Sequence, residues 1–202
     1  GDAYGSEPRN HHYVVLYPGF DGELVRANPA ATATADAFLA RMRAEPGVIV
    51  MPHYHNDRGP FDDEISCAAE VAAWNYKVND APGTVKNAIF ESLNAGHRMG
   101  IVAGTDHGGE GIAAYRSGEL FAVYADAFTR DAILAGIRGR RAAASQRDKF
   151  LLYVAVNGER MGARIRIAPD TPRSIEIRVA ARPYPHAIQL LRNGAVLRNF
   201  TN

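Results

Sequence analysis

The sequence is poor in cysteine, since Cys67 is the only cysteine among its 202 residues. An intrachain disulfide is therefore excluded, and so is a zinc site built from several thiolates. An excess of charge of one sign is also absent, because 23 Lys and Arg residues nearly balance 22 Asp and Glu residues. Proteins that bind nucleic acid through a basic surface carry a clear excess of positive charge. We therefore expect no nucleic-acid partner.

Long apolar runs are missing as well. A transmembrane helix needs about 20 consecutive apolar residues, and no segment of the sequence has that character, so we expect no membrane partner. The Gly-rich segment at 104–111 lacks the Gly-Lys-Ser/Thr of a phosphate-binding loop. Hydrophobic residues nevertheless make up 47% of the sequence and charged residues 22%, which is the composition of an ordinary globular protein with a core.

The first 148 residues alternate apolar runs with helical patterns. Strands are predicted at residues 11–17, 48–51, 99–104 and 120–125, and helices at residues 34–44, 84–95 and 130–141. Residues 64–74 mix both signals, and their assignment stays open. Continuous apolar runs are typical of parallel strands covered on both faces, and alternation with helices is typical of βαβ units. We therefore predict an α/β fold with a mostly parallel sheet, open or closed into a barrel.

The ends of the predicted helices carry recognisable signals. Asp36 is a cap candidate for the first helix, Gly96 ends the second, and Thr129 caps the third. Three arginines lie at the end of the third helix: Arg138, Arg140 and Arg141. We interpret them first as charges that complement the helix dipole, and only second as a phosphate clamp.

The pattern changes after residue 148. Short runs rich in Val and Ile are predicted as strands at residues 151–156, 163–167, 174–180 and 187–191. Two of the turns are Asn157-Gly158 and Asn193-Gly194, and Asn-Gly between apolar runs is the strongest short-range signal for a β-hairpin. We therefore predict two domains, residues 1–148 and 149–202. The second is an antiparallel β module of about 50 residues, short of the roughly 100 of a complete sandwich.

Polar side chains flank the predicted strands of the α/β part. They are His11 and His12 before the first strand, His53 and His55 after the second, and Asp106 and His107 after the third. Because the carboxyl ends of parallel strands meet at one edge of a sheet, we expect the later groups to converge there. The first two histidines precede their strand, so they reach that edge only if the strand is antiparallel.

Imidazoles and carboxylates without thiolates suit Zn, Mn or Fe. Such an ion lowers the pKa of bound water to about 7 and polarises a phosphoryl oxygen, so this ligand set predicts metal-assisted hydrolysis. Glu64 either orients a ligand histidine from outside the ligand set or belongs with Asp62 and Asp63 to a solvated acidic loop. We interpret His97 and His186 as surface or turn residues.

Five segments stand in a distinctive order along the chain. They are Gly-His-Arg-Met-Gly-Ile-Val-Ala-Gly-Thr-Asp-His at 96–107, Phe-Thr-Arg-Asp-Ala-Ile at 128–133, Arg-Gly-Arg-Arg at 138–141, Val-Asn-Gly-Glu-Arg-Met-Gly at 156–162 and Leu-Arg-Asn-Gly at 191–194. Together they resemble a bacterial branch, largely a domain of unknown function, of the PHP (polymerase and histidinol phosphatase) superfamily. The similarity runs in order over residues 11–194.

The resemblance implies a distorted β/α barrel of PHP type, of which this chain is the carboxyl-terminal part, followed by a small β domain. It implies that divalent metal ions are held by His11, His53, Asp106 and His107, with Asp106 and His107 in the catalytic motif. A small-molecule phosphoester is the implied substrate. The residue pattern adds His55 as a further ligand candidate, and His12 and Glu64 as groups that support the ligands.

The chain departs from the family pattern in three places. The opening His-x-His motif and the Glu before the His11 strand are absent, and Ala142-Ala143-Ala144-Ser145 replaces a Tyr-Ala-Thr-like segment. The last motif is Asp-His where the superfamily has Asp-x-His, so either His107 serves as the ligand or Gly108 occupies the ligand position.

The alternative hypothesis is a non-catalytic relative whose β module binds a protein or a glycan through an exposed patch around Tyr184. An incomplete barrel exposes a sheet edge, which predicts self-association.

Overall fold

The computed structural model describes residues 13–16, 34–54, 62–66, 68–72, 84–104, 119–146, 149–182 and 185–201. These residues form eleven strands and three helices. In chain order the elements are β1 (Tyr13–Leu16), α1 (Ala35–Arg43), β2 (Ile49–Tyr54), β3 (Ala68–Ala72), α2 (Thr84–Asn94), β4 (Gly100–Gly104), β5 (Glu119–Val123), α3 (Arg130–Arg138), β6 (Ala142–Gln146), β7 (Phe150–Val156), β8 (Glu159–Arg160), β9 (Ile175–Ala181), β10 (Ala187–Arg192) and β11 (Ala195–Thr201). None of the three helices has both the length and the apolar character that a membrane span requires.

The largest sheet of the described residues has four strands in the order β1-β2-β3-β4. β2, β3 and β4 are parallel to one another, whereas β1 runs antiparallel to β2. In the antiparallel pair Tyr13 lies opposite Pro52, and Leu16 lies opposite Ile49. The start of β1 therefore lies at the edge of the sheet where β2 ends.

One face of this sheet is covered by α1 and α2. Leu39 and Met42 of α1 pack with Val48 and Val50 around β2, where all four side chains are buried. Further along the sheet α2 packs against β4, and the buried residues of that cluster are Ala88, Ile89, Met99 and Ala103. Side chains alternate between the two faces along a strand, so the residues between these point the other way.

The opposite face is covered by α3. Leu134 and Ile137 pack there against Ile49, Met51 and Val102, which alternate with the residues that face α1 and α2. Thr129 caps α3 as predicted, because its side-chain oxygen accepts a hydrogen bond from the backbone N–H of Ala132. For α1 the predicted cap was wrong. Thr34, not Asp36, accepts the bond at the helix start.

The remaining strands form three small antiparallel sheets. β5 pairs with β6, β7 pairs with both β8 and β9, and β10 pairs with β11. Both Asn-Gly hairpins are confirmed, since Asn157, Gly158, Asn193 and Gly194 all have positive φ, as a two-residue type I′ turn requires. The predicted strand at 163–167 is wrong, because these residues contain no regular element. The final strand β11 was missed.

The predicted partial β/α barrel of PHP type is wrong. The described residues are mostly short strands in four small sheets, with five antiparallel strand pairings and two parallel ones, and the three helices have only 9, 11 and 9 residues. A continuous apolar run indicates that a strand is buried on both faces. It does not indicate whether the neighbouring strand is parallel or antiparallel. The next described strands after β4, namely β5 and β6, form an antiparallel pair. The division at residue 148 stays a prediction.

Candidate functional site

The predicted ligands should converge at the edge of the four-stranded sheet where β2, β3 and β4 end. His53 lies in β2, next to Pro52, and Pro52 is the residue that pairs with Tyr13 at the start of β1. His53 of β2 is also in register with Glu70 of β3, and Glu70 is in register with Val102 of β4. Neighbouring strands lie about 4.8 Å apart. The backbone thus places an imidazole and a carboxylate residue on adjacent strands.

Most of the predicted site residues fall outside the part of the chain that the structure describes. These are His11, His12, His55, Asp106 and His107. The described chain reaches their neighbours in sequence, namely Tyr13 at the start of β1, Tyr54 at the end of β2 and Gly104 at the end of β4. All three belong to strand ends at the same edge of the sheet. The roles predicted for the five residues stay predictions.

Glu70 is the residue that sequence reasoning missed at this edge. It belongs to the segment 64–74, whose strand and helix signals were mixed, and the structure makes residues 68–72 a parallel strand. A single carboxylate in Ala-Ala-Glu-Val-Ala is an available signal, because a charged residue inside an otherwise apolar strand needs a partner or a function. The sequence analysis did not identify Glu70 because it did not assign residues 68–72 as a strand.

Glu64 lies at a distance from this edge. It belongs to the segment 62–66, which precedes β3, and its carboxylate is 3.5 Å from Nε of Arg43. In the same segment Asp62 is only 5% exposed and its carboxylate accepts a hydrogen bond from Nε of Arg43 at 2.6 Å. The structure therefore brings Glu64 together with Arg43 and Asp62 and not with His53. The interpretation of Asp62 as part of a solvated loop is wrong.

Asp63 joins the same segment to the start of β4. Its carboxylate accepts a hydrogen bond from the backbone N–H of Arg98 and lies 3.1 Å from Nδ1 of His97. Burial raises the pKa of Asp63, but the hydrogen bonds from Arg98 and His97 and their positive charge outweigh it and hold that pKa below its ordinary value. In the neighbouring pair, the hydrogen bond to Asp62 and the negative charge of Asp62 raise the pKa of Arg43. These acidic residues thus tie α1 and β4 to the amino-terminal edge of the sheet.

Within the ranges that the structure describes, no group of three or more His, Cys, Asp or Glu residues is arranged to hold a metal ion. The backbone register brings His53 and Glu70 side by side on β2 and β3, and residue types with N and O donors fit Zn, Mn or Fe. The chemistry of the donor set therefore fits the predicted divalent ion. The other predicted ligands, His11, His55, Asp106 and His107, lie outside the described residues.

Comparison with known proteins adds no relative to this picture. No protein-family model, no curated protein and no solved structure matches the chain. The resemblance to the PHP superfamily therefore rests on the five segments of the sequence alone.

Proposed function

We propose that this protein is a metal-dependent hydrolase that acts on a phosphoester, with a divalent ion bound at the carboxyl edge of the β2-β3-β4 sheet. The observation that supports the proposal most directly is the antiparallel pairing of β1 with β2, in which Tyr13 lies opposite Pro52. Histidines that precede β1 in sequence belong at the carboxyl edge only if β1 is antiparallel. The structure meets that condition.

In this proposal His53 supplies an imidazole ligand, and Glu70, its neighbour on β3, supplies a carboxylate or orients the imidazole. His11, Asp106 and His107 complete the ligand set, with His55 as a further candidate and His12 in support. A bound Zn, Mn or Fe ion supplies Lewis acidity toward a phosphoryl oxygen. In this proposal the part of the protein's own residues is to hold the ion.

The experiment is a measurement of metal content by elemental mass spectrometry on the purified chain after dialysis. We expect close to stoichiometric Zn, Mn or Fe in the wild type and a large loss in His53→Ala. The matched control is His97→Ala, because His97 lies beside Asp63 at the opposite edge of the sheet. It should keep the metal. Hydrolysis of p-nitrophenyl phosphate is measured on the same three samples, with circular dichroism as the check on folding.

Two results would contradict the proposal. Absence of retained metal in the wild type would remove its basis. Equal metal content and equal turnover in the wild type and His53→Ala would show that β2 provides no ligand. A Glu70→Gln variant adds a second test, since loss of a ligand or of a supporting carboxylate lowers metal affinity by about 10- to 100-fold.

A second candidate function is partner binding through the β module, including association with a second copy. It is supported by exposed apolar side chains: Leu151 is 62% exposed and Leu197 is 60% exposed. Within the described residues β11 pairs only with β10, which leaves an edge of backbone donors and acceptors open to another strand. Sedimentation velocity over a range of concentrations tests self-association, and Leu197→Glu should abolish it. A concentration-independent monomer would contradict self-association.

A further inference from the structure

The near balance of charge over the whole chain hides an uneven distribution along it. Residues 149–202, the β module, contain nine Lys and Arg residues but only three Asp and Glu residues, which gives a formal charge of +6. The rest of the chain contains 14 and 19 such residues, which gives −5. A charge asymmetry of this kind is typical of a protein with a polyanion-binding part. The expectation of no nucleic-acid partner rests on the total charge, which does not describe the module by itself.

All nine cationic side chains of the module are exposed to solvent. They are Lys149, Arg160, Arg164, Arg166, Arg173, Arg178, Arg182, Arg192 and Arg198. Within the described residues only Arg178 forms an ion pair with a carboxylate, that of Glu176 at 2.5 Å. A guanidinium forms a fork that matches two oxygens of a phosphate. The module therefore presents an excess of positive charge to which phosphates can bind.

The strand register groups part of this charge along the β7–β9 pair. Lys149 and Arg182 flank the first register pair of these two strands, so both lie at the same end of the sheet. Within the pair, Tyr153 lies opposite Arg178, and the Arg178 guanidinium is 5.3 Å from the centroid of the Tyr153 ring. The antiparallel pairing thus brings cations together that are up to 33 residues apart in sequence.

The β10–β11 hairpin adds an exposed aromatic ring to this charge. Every residue of β11 is exposed, and Phe200 keeps 40% of its surface exposed. Arg198 lies two residues earlier on the same face of the strand, and its guanidinium is 5.0 Å from the centroid of the Phe200 ring. Unpaired nucleobases stack on aromatic rings and on guanidinium planes. The hairpin therefore combines a phosphate-binding group with a stacking surface.

The secondary structure of the module favours a nucleic acid over a membrane surface. Proteins that lie on anionic membranes commonly use an amphipathic helix with a basic face. All three helices of the described residues precede residue 149, and the described part of the module consists of strands and irregular segments. Strands that expose aromatic rings beside cations are typical of domains that bind single-stranded nucleic acid.

We propose that the β module binds single-stranded nucleic acid, with its exposed arginines on the phosphates and unpaired bases stacked at Arg198 and Phe200. Binding of this kind follows the charge of the phosphates and depends little on base sequence. The surface is separate from the proposed metal site, because every predicted metal ligand precedes residue 149. The two proposals can therefore be tested independently.

The test is fluorescence anisotropy of a labelled oligothymidylate of about 20 nucleotides, titrated with the full 202-residue chain. EDTA is present throughout, so that metal-dependent cleavage does not remove the probe. We expect saturable binding that weakens as salt rises. Phe200→Ala should weaken it at least about fivefold, because a stacking surface is lost. The matched control is Phe128→Ala, since Phe128 is 99% exposed and lies outside the module, and it should change binding less than about twofold.

A second pair of variants tests the charge. Arg164→Gln with Arg166→Gln removes two exposed cations from a segment without regular secondary structure, so the strands stay intact. Arg98→Gln with Arg130→Gln removes two exposed cations outside the module. Each lost phosphate contact lowers the slope of log affinity against log salt by about 0.7 for a single strand. We therefore expect a decrease of up to about 1.4 for the first pair and no change for the second.

The proposal is overturned if the wild type does not bind oligothymidylate, or if the variants outside the module weaken binding as much as those within it. The second result would mean that charge anywhere on the chain attracts the probe. Vesicles that contain phosphatidylserine are titrated in parallel, and binding to them without binding to oligothymidylate would identify a membrane surface instead. Tighter binding to a duplex of the same length would also overturn it. If circular dichroism shows that Phe200→Ala is unfolded, the arginine pairs decide.

Discussion

Among the glycines of the described residues, Gly162 leaves the least room for an added methyl group. Its φ is +87°, and a Cβ placed there would lie 1.9 Å from the backbone oxygen of Gly139 and 3.0 Å from the backbone of Arg140. Arg140 itself has a φ of 57°, and its guanidinium holds the oxygen of Gly162. Neither backbone can move away without breaking the contact between the end of α3 and the loop after β8.

The magnitude follows from two separable effects. An L-residue in the left-handed region costs about 1 to 2 kcal/mol relative to glycine. Forcing an extra methyl group into a packed site costs about 1 to 3 kcal/mol more. Gly162→Ala should therefore lower the free energy of unfolding by about 2 to 5 kcal/mol. For a chain of this size each kcal/mol shifts the thermal midpoint by roughly 2 to 4 °C.

Gly158→Ala is the matched control, because Gly158 has a similar φ of +85° and a Cβ placed on it would meet nothing within 4 Å. It carries the conformational cost without the clash. Urea unfolding of both variants, followed by circular dichroism, measures the difference, which we expect to be about 1 to 3 kcal/mol. Equal destabilisation of the two variants would refute the close packing of Gly162 against Gly139.

Two further predictions concern α3 and the start of β4. Thr129→Ala should lower the free energy of unfolding by about 1 kcal/mol, because the bond from the Ala132 N–H to the Thr129 side chain is lost, whereas Thr129→Ser should keep most of it in the same urea assay. Asp63 has a lowered pKa, so the unfolded chain binds more protons than the folded one around and below the ordinary value of about 3.9. Its stabilising contribution is present above that pH and is lost as the pH falls through the folded pKa. The urea midpoint of the wild type should therefore fall more steeply below about pH 4 than that of Asp63→Asn, and parallel pH curves would count against the Arg98 and His97 contacts.

Local features of the fold could be predicted from the sequence where one or two residues decide the conformation. Asn157-Gly158 and Asn193-Gly194 specify hairpins because both positions need positive φ, and the structure has both. The Thr129 cap also follows from a single side chain. At Thr34 the same chemistry was assigned two residues too late, to Asp36, which lies in the first turn of α1.

The larger architecture could not be predicted in the same way. Apolar runs at β2 and β4 indicated buried strands, and both exist, but their pattern does not encode how many strands follow or in which direction. The antiparallel direction of β1 and the pairing of β5 with β6 are decided by contacts between distant residues. Those contacts replace the predicted barrel by four small sheets.

The candidate sites show the same division. Residue type and spacing predicted a ligand position at His53. The register of β2 and β3 adds Glu70 as a further candidate. The sequence could not indicate it, because the strand that carries Glu70 was not assigned.

The turn between β10 and β11 rests on α2, where a Cβ at Gly194 would lie 3.7 Å from the Asn94 side chain and 3.8 Å from that of Phe90. These contacts join segments about 100 residues apart, and a ribosome adds about 5 to 20 residues per second. During synthesis α2 therefore waits roughly 5 to 20 s for the hairpin that covers it. Over that interval the growing chain exposes part of α2 to chaperones and proteases, until the β10–β11 hairpin emerges and covers it.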